Sequence, residues 1–323
     1  MRIVIVGTGA IGGAVAAALH RAQQDVVAVS RGAQLEAIRA KGLRLRAPDL
    51  DEVVRFPVVG SIADVGFGPD DLILLAIKGQ DTEDAVEDLR AAGVTSQPIF
   101  CLQNGVANET KALRRFPNVH GVTVMMPAMF TVPGEVVVQS APKLGLFYVG
   151  RFPGGSDKAD EALCEALNKA GIAAFVKEDV MSSKYGKLLM NLSNIVGAAL
   201  GHGAEAPELR KRMMDEGKAV YSAAGIAWED VGMNHPDRTA YMNFTKVPGI
   251  ENYGTSTAQS FLRGTSRVET DWLNGEIVWL GRLHGVPVPV NAALTRIAAR
   301  MARDGVAPGS LSVEEIEAEI QLS

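Results

Sequence analysis

Two groups of residues in this chain have types and spacings that could do chemistry. The first is Gly7-Thr8-Gly9-Ala10-Ile11-Gly12, a G-x-G-x-x-G run that directly follows the β-branched stretch 2–6 and precedes the small-residue stretch 14–22. Between a strand and a helix, such a run cradles a pyrophosphate. Its first glycine makes the tight turn, its second lets the phosphates approach the backbone, and its third lets helix and strand pack closely. The helix N-terminus adds unpaired N–H groups and the positive end of its dipole. A dinucleotide site is therefore expected over Gly7–Gly12. An NAD site usually places a carboxylate at the end of the second strand, for the ribose 2′-OH. Here that strand ends Val29-Ser30-Arg31. A hydroxyl at Ser30 and a guanidinium fork at Arg31 suit a 2′-phosphate instead, so the expected cofactor is NADP(H).

The second group lies in the segment 182–201, SSKYGKLLMNLSNIVGAALG. At about 100° per residue, Lys184, Lys187, Asn191 and Asn194 fall within an arc of roughly 80°. Their neighbours Leu188, Leu189, Met190, Leu192 and Val196 are apolar. Burying amides and ammonium groups without partners costs on the order of several kcal/mol each. Asn is also a poor helix former that a merely solvated face would not favour. The stripe is thus expected to face a wet or ligand-filled cleft. A lysine there could donate a proton and stabilise a developing negative charge. Asn104-Gly105 and Lys78 each follow a candidate strand, at the carboxyl edge where open α/β sheets bind ligands. Glu269, taken alone, reads as a surface carboxylate.

Composition excludes several classes. The chain has 323 residues, a length that predicts about two domains. With 32 Lys and Arg against 37 Asp and Glu, the net charge of −5 gives no basic footprint for nucleic acid. The two cysteines, Cys101 and Cys164, form no CxxC pair, and the five histidines form no HxxxH or HExxH pair. No zinc ribbon, dithiol or histidine-rich metal site is therefore expected. No stretch reaches the roughly 18 uninterrupted apolar residues that a membrane span needs. Residues 1–19 loosely mimic a secretory signal, but Gly7, Gly9, Gly12 and Gly13 interrupt the run, and a cytoplasmic protein is expected.

The elements that must position these residues follow from apolar periodicity. Strands are expected at 2–6, 25–29, 71–77, 98–102, 119–125, 134–140 and 173–176, with a hairpin from 43–46 and 52–58. Helices are expected at 14–22, 34–41, 81–92 and 157–170. This alternation indicates an α/β domain with a mainly parallel sheet. Beyond Met181 the pattern turns almost wholly helical: 182–200, 207–225, 234–245, 256–284, 289–303 and 312–321. Pro207, Pro236, Pro287 and Pro308 punctuate the boundaries. The expected division is 1–179 for the cofactor and 180–323 for substrate and catalysis.

Together these elements resemble the ketopantoate reductase (2-dehydropantoate 2-reductase) family over nearly the whole chain. The resemblance rests on IVGTGAIGG and Arg31, on LLAIKGQDT with Lys78, on LQNGV with Asn104, on KLLMNLSN, and on RVETDWLNGEIVWLGRLHGVPVPVN. It implies an N-terminal Rossmann-type doubly wound sheet joined to a C-terminal all-helical domain. It also implies a catalytic Lys187, a substrate contact at Asn191, an active-site carboxylate at Glu269, and Ser256 or Thr257 on the substrate carboxylate. Asn104 and Lys78 would lie beside the nicotinamide and the catalytic centre. The implied reaction is NADPH-dependent reduction of a 2-oxo acid, 2-dehydropantoate to pantoate in pantothenate biosynthesis, with Lys187 as general acid.

The chain departs from the family pattern at several positions. Ile195 stands where the family has a second Asn, with Asn194 one residue early. Ser260-Phe261 replaces Gln-Asp, and Val268 replaces Thr before Glu269. These changes make the pocket more apolar. The alternatives are a reductase of the same frame for another 2-oxo or 3-hydroxy acid, a hydroxyacid or phosphogluconate-type dehydrogenase, and an NADP-binding sensor without turnover. The expected partner is a small-molecule 2-oxo acid, with a homodimer possible through the apolar face of the helical half.

Overall fold

The computed structural model describes residues 1–130, 132–250, 254–264 and 268–322. It contains two compact units: Met1–Lys184 with Val231–Ile250, and Tyr185–Asp230 with Glu251–Ser323.

The first unit alternates strands and helices. In order these are β1 (Arg2–Val6), α1 (Ala10–Arg21), β2 (Val26–Val29), α2 (Gly32–Lys41), β3 (Leu43–Ala47), β4 (Leu50–Val54), β5 (Val58–Val59), β6 (Asp71–Leu75), α3 (Thr82–Ala91), β7 (Ile99–Cys101), α4 (Asn108–Leu113), β8 (Val119–Met125), β9 (Ala128–Met129), β10 (Glu135–Val138), β11 (Ser140–Pro142), β12 (Leu146–Arg151), α5 (Lys158–Lys169) and β13 (Ala173–Val176). Eight strands form one sheet in the order β13-β12-β8-β7-β6-β1-β2-β5. Its pairings are parallel except β12 with β8. The β5-β2-β1-β6-β7-β8 portion is the doubly wound order, whose direction of winding reverses between β1 and β6.

Alternate residues of β1 feed opposite faces of this sheet. Ile3 and Ile5 join one core cluster, while Val4 and Val6 join the other. Both faces are covered, and from Ile3 to Val6 the strand is apolar, as buried parallel strands are. Each fully buried Ile or Val contributes roughly 1.5–3 kcal/mol.

The second unit is helical. It receives the end of α6 (Val180–Asn191), then α7 (Ser193–Leu200), α8 (Pro207–Ala224), α10 (Ser256–Leu262), α11 (Asn274–His284), α12 (Pro289–Asp304) and α13 (Val313–Gln321). Between them the chain returns to the first unit as α9 (Pro236–Tyr241) and β14 (Met242–Phe244), and β14 pairs antiparallel with β11. A hydrogen bond from the Tyr148 hydroxyl to Asp237 Oδ2, at 2.6 Å, fastens this return.

Three expected helices are therefore corrected. The 234–245 helix ends at Tyr241 and becomes a strand, because β11 offers an edge that sequence periodicity cannot see. The 182–200 helix is interrupted at Leu192, which separates α6 from α7. The Leu192 carbonyl accepts from Asn274 Nδ2 at 3.2 Å. The 256–284 helix is three pieces in the described residues: α10, a 3₁₀ turn at Glu269–Trp272, and α11. Gly264 follows α10 with φ +67°, a left-handed conformation that stops a helix.

Candidate active site

In the first unit, the glycine turn sits at the sheet's switch point. Gly7 has φ +100°, and a Cβ there would stand 2.7 Å from Ile77 Cγ2. A Cβ on Gly12 would stand 2.8 Å from Ala76 Cβ and far inside contact distance of the Gly7 carbonyl oxygen. Gly9 differs. It is the N-cap of α1 with no side-chain cap, and a Cβ on it would meet nothing within 4 Å. Open space over a helix start that no side chain caps is what a pyrophosphate requires, so these residues fit a dinucleotide. Ala10 opens α1, and Ile11 packs partly on the core.

Beside the turn, Thr8 Oγ1 and Ser30 Oγ are 2.5 Å apart and buried. Gln34 joins them: its Nε2 donates to the Thr8 carbonyl at 2.9 Å, and its Oε1 accepts from the Gly134 N–H at 2.7 Å. Ser30 is thus buried, with its hydroxyl against that of Thr8. Arg31 is the N-cap residue of α2; its side chain makes no cap hydrogen bond and is exposed, the cation at the end of β2.

Lys78 and Asn104 stand at the carboxyl edges of β6 and β7, both half-buried. The loops that carry them are fastened by α4. Asn108 Nδ2 donates to the Asn104 carbonyl at 3.1 Å, and Lys111 Nζ donates to the Gly79 carbonyl at 3.1 Å. Lys184, read from sequence as part of a cleft-facing stripe, is instead buried in an ion pair with Glu109. Its stem lies in the first unit's core, where the fully buried Glu109 carboxylate needs a counter-charge.

Among the described residues, one group has metal-ligand composition: His120, Asp157 and Asp160. Its atoms are committed to structure. His120 Nδ1 bonds Asp160 at 2.7 Å and Nε2 bonds Asn118 at 2.9 Å, while Asp157 takes Arg151 at 2.7 Å and caps α5.

In the second unit, α6, α7, α10 and the 3₁₀ turn carry the remaining candidates. Lys187 and Asn191 lie one turn apart on α6, both half-buried. Asn191 Nδ2 is buried and has no hydrogen-bond partner among the described residues. Asn194 and Ser256 are brought together, with Nδ2 donating to Ser256 Oγ at 3.2 Å, while Thr255 Oγ1 donates to the Asn194 carbonyl at 2.8 Å. Thr257 is buried one residue on, and Ile195 is buried as well. Glu269 is not the surface carboxylate that its sequence context suggested; it is 8% exposed and begins the 3₁₀ turn.

Sequence reasoning missed Arg263. Its Nη2 donates to Ser260 Oγ at 3.3 Å; burial holds its guanidinium below the usual arginine range, against a smaller upward pull from the Glu269 carboxylate. It also missed Asn274, which links the Leu192 carbonyl to Asn291 Oδ1 (3.0 Å). The Asn274-Gly275 pair was the available signal for the latter. For Glu109 there was none.

A family model described as ketopantoate reductase PanE/ApbA matches residues 3–154, and its C-terminal counterpart matches residues 179–302. The 2-dehydropantoate 2-reductase of Pyrococcus horikoshii is 28% identical over 302 residues, covering 91% of this chain and 95% of that protein. The crystal structure of a PanE/ApbA family ketopantoate reductase from Ralstonia eutropha is 27% identical with a TM-score of 0.77, covering 94% of this chain and 99% of that one. The ternary structure of D-mandelate dehydrogenase with NADH and anilino(oxo)acetate shares the fold, at 22% identity and TM-score 0.76, with 94% and 99% covered. No helix among the described residues is long and apolar enough to cross a membrane.

Proposed function

Because the chain belongs to the ketopantoate reductase family, a family of oxidoreductases, we propose that it reduces a 2-oxo acid to its 2-hydroxy acid using NADPH, with 2-dehydropantoate as substrate. The observation that carries the proposal is the buried Nδ2 of Asn191, which lies one turn beyond Lys187 and has no hydrogen-bond partner among the described residues. An unpaired buried amide costs stability unless a ligand completes it. A substrate carboxylate or carbonyl supplies the acceptor.

Each residue then has a role. The open turn at Gly7–Gly12 holds the pyrophosphate against the start of α1, and Arg31 pairs with the 2′-phosphate. Bound NADPH would supply the hydride to the carbonyl carbon. The Lys187 ammonium donates a proton to the carbonyl oxygen as negative charge builds there, and is reprotonated from solvent. Glu269 keeps Lys187 charged and aligned. Asn191, Asn194, Ser256 and Thr257 orient the acid through neutral hydrogen bonds. Lys78 and Asn104 adjoin the nicotinamide end.

A second substrate reading, a 2-oxo acid with an apolar or aryl side group, is favoured by Phe261, which is half-buried on α10 beside Ser260. The test is NADPH consumption against a panel of branched, linear and aryl 2-oxo acids. A kcat/KM highest for 2-dehydropantoate supports the first reading, and one highest for an aryl acid supports the second. No consumption with any member leaves a nucleotide-binding protein and overturns both.

A further inference from the structure

The first unit contains a buried ion pair to which the reaction scheme gives no role. Lys184 is 3% exposed and Glu109 is fully buried. Besides its pairing with Glu109, Lys184 Nζ donates to the carbonyl oxygens of Gln103 at 3.2 Å, Cys101 at 3.3 Å and Val122 at 3.4 Å. Gln103 immediately precedes Asn104. The Asn104 carbonyl is itself held by Asn108 Nδ2, and the Gln103 side chain reaches Thr82 Oγ1 at 3.0 Å, which in turn donates to Asn108 Oδ1 at 2.9 Å. Two successive carbonyls, at Gln103 and Asn104, are thus tied through side chains of α4 and the ammonium of α6.

Stability does not account for this arrangement. Taking an ammonium and a carboxylate out of water costs about as much as their mutual attraction returns, and apolar side chains of similar volume often do as well or better. A buried pair can instead fix one arrangement of the backbone. The backbone it fixes here is the end of β7, which carries Asn104.

We propose that Lys184 and Glu109 are positioning residues. The pair holds the Gln103–Asn104 backbone so that the Asn104 side chain meets the nicotinamide end of the cofactor, without touching cofactor or substrate itself. The proposal rests on the reading of Asn104 given above.

The test compares the full-length protein with the double variant Lys184→Met/Glu109→Gln, which removes both charges and refills the space. The single variant Lys184→Met strands a buried carboxylate and is expected to unfold, so the double variant carries the test. Two ligands are titrated by calorimetry: NADPH, and 2′,5′-ADP, which lacks the nicotinamide. The double variant is expected to melt cooperatively, to bind 2′,5′-ADP as the parent does, and to bind NADPH about tenfold more weakly, the scale of one lost hydrogen bond to a ligand. Its kcat should fall with little change in the KM for the 2-oxo acid.

A folded double variant with the parent's NADPH affinity and kcat would overturn the proposal. Equal weakening of both ligands would do so too, since it marks general loosening of the unit. If the parent binds both nucleotides but reduces no 2-oxo acid, the reaction assignment falls and the two affinities alone decide the positioning role. If the parent binds neither, both fall.

Discussion

Gly12 lies so close to Gly7 that a Cβ on the former would overlap the carbonyl oxygen of the latter. One helical turn and one strand end share that space, and only a hydrogen fits between them. The same run of six residues contains, at Gly9, a position where a Cβ would meet nothing within 4 Å. One glycine is present for packing and the other for what enters.

This contrast gives a paired prediction. Gly12→Ala should destabilise the protein by about 1–3 kcal/mol or more, the range for overpacking a tight site. Gly9→Ala should leave the melting temperature nearly unchanged and weaken NADPH. Thermal melts and nucleotide titrations of the two variants check it; equal melting temperatures would contradict it.

Arg31 and Ser30 separate in the same way. Arg31 is exposed at the start of α2, while Ser30 is buried against Thr8. Arg31→Ala should lower the preference for NADPH over NADH by roughly ten- to a hundredfold, the scale of a charge-assisted hydrogen bond. Ser30→Ala should leave that preference alone and cost about 1 kcal/mol of stability. The ratio of kcat/KM values for the two cofactors measures the first effect, and denaturant unfolding measures the second.

Lys187→Ala should cut kcat by at least about 100-fold, the usual scale of acid catalysis, with NADPH binding retained. Steady-state rates paired with a nucleotide titration check this. Near-normal turnover would remove Lys187 from the mechanism.

Asn191 should show a trade between stability and function. Its Nδ2 is buried without a partner among the described residues. Asn191→Leu should therefore leave the ligand-free protein as stable or more stable, by roughly 1 kcal/mol, while raising the KM for the 2-oxo acid. A marked loss of stability would mean that the amide is structural.

Both cysteines are free and buried. Burial pushes the Cys164 thiol up to about 12 from an ordinary value of 9.0, and burial with the nearby Glu109 carboxylate raises Cys101 well above it. A thiol whose pKa is raised by folding favours the folded state fully below its unfolded pKa. That advantage is lost as pH rises, because the unfolded thiol ionises first. For Cys164 the loss should run from about pH 9 upward toward its folded value. Neither thiol should react with an alkylating agent near neutral pH without denaturant. Rapid labelling of the native protein would refute this.

By itself the sequence determined the parts whose physics is local. A β-branched run, spaced glycines and a small-residue run specify strand, turn and helix over residues 2–21, because backbone freedom and apolar periodicity act between neighbours. The same periodicity located β8 at Val119–Met125 and β13 at Ala173–Val176, and the absence of a carboxylate after β2 was legible from the order Val29-Ser30-Arg31.

What only the tertiary structure decided were the pairings across long separations. Lys184 and Lys187 look alike along a helix, yet one is buried on Glu109, seventy-five positions back in the chain. Residues 242–244 carry a helical pattern, yet they form a strand because β11 offers them backbone partners. Ser30 ends a strand as an ordinary hydroxyl in sequence, yet it is buried against Thr8. In each case the deciding partner is distant in sequence. A buried charge, an open strand edge or a buried hydroxyl takes its meaning from whichever group the fold brings within hydrogen-bond reach.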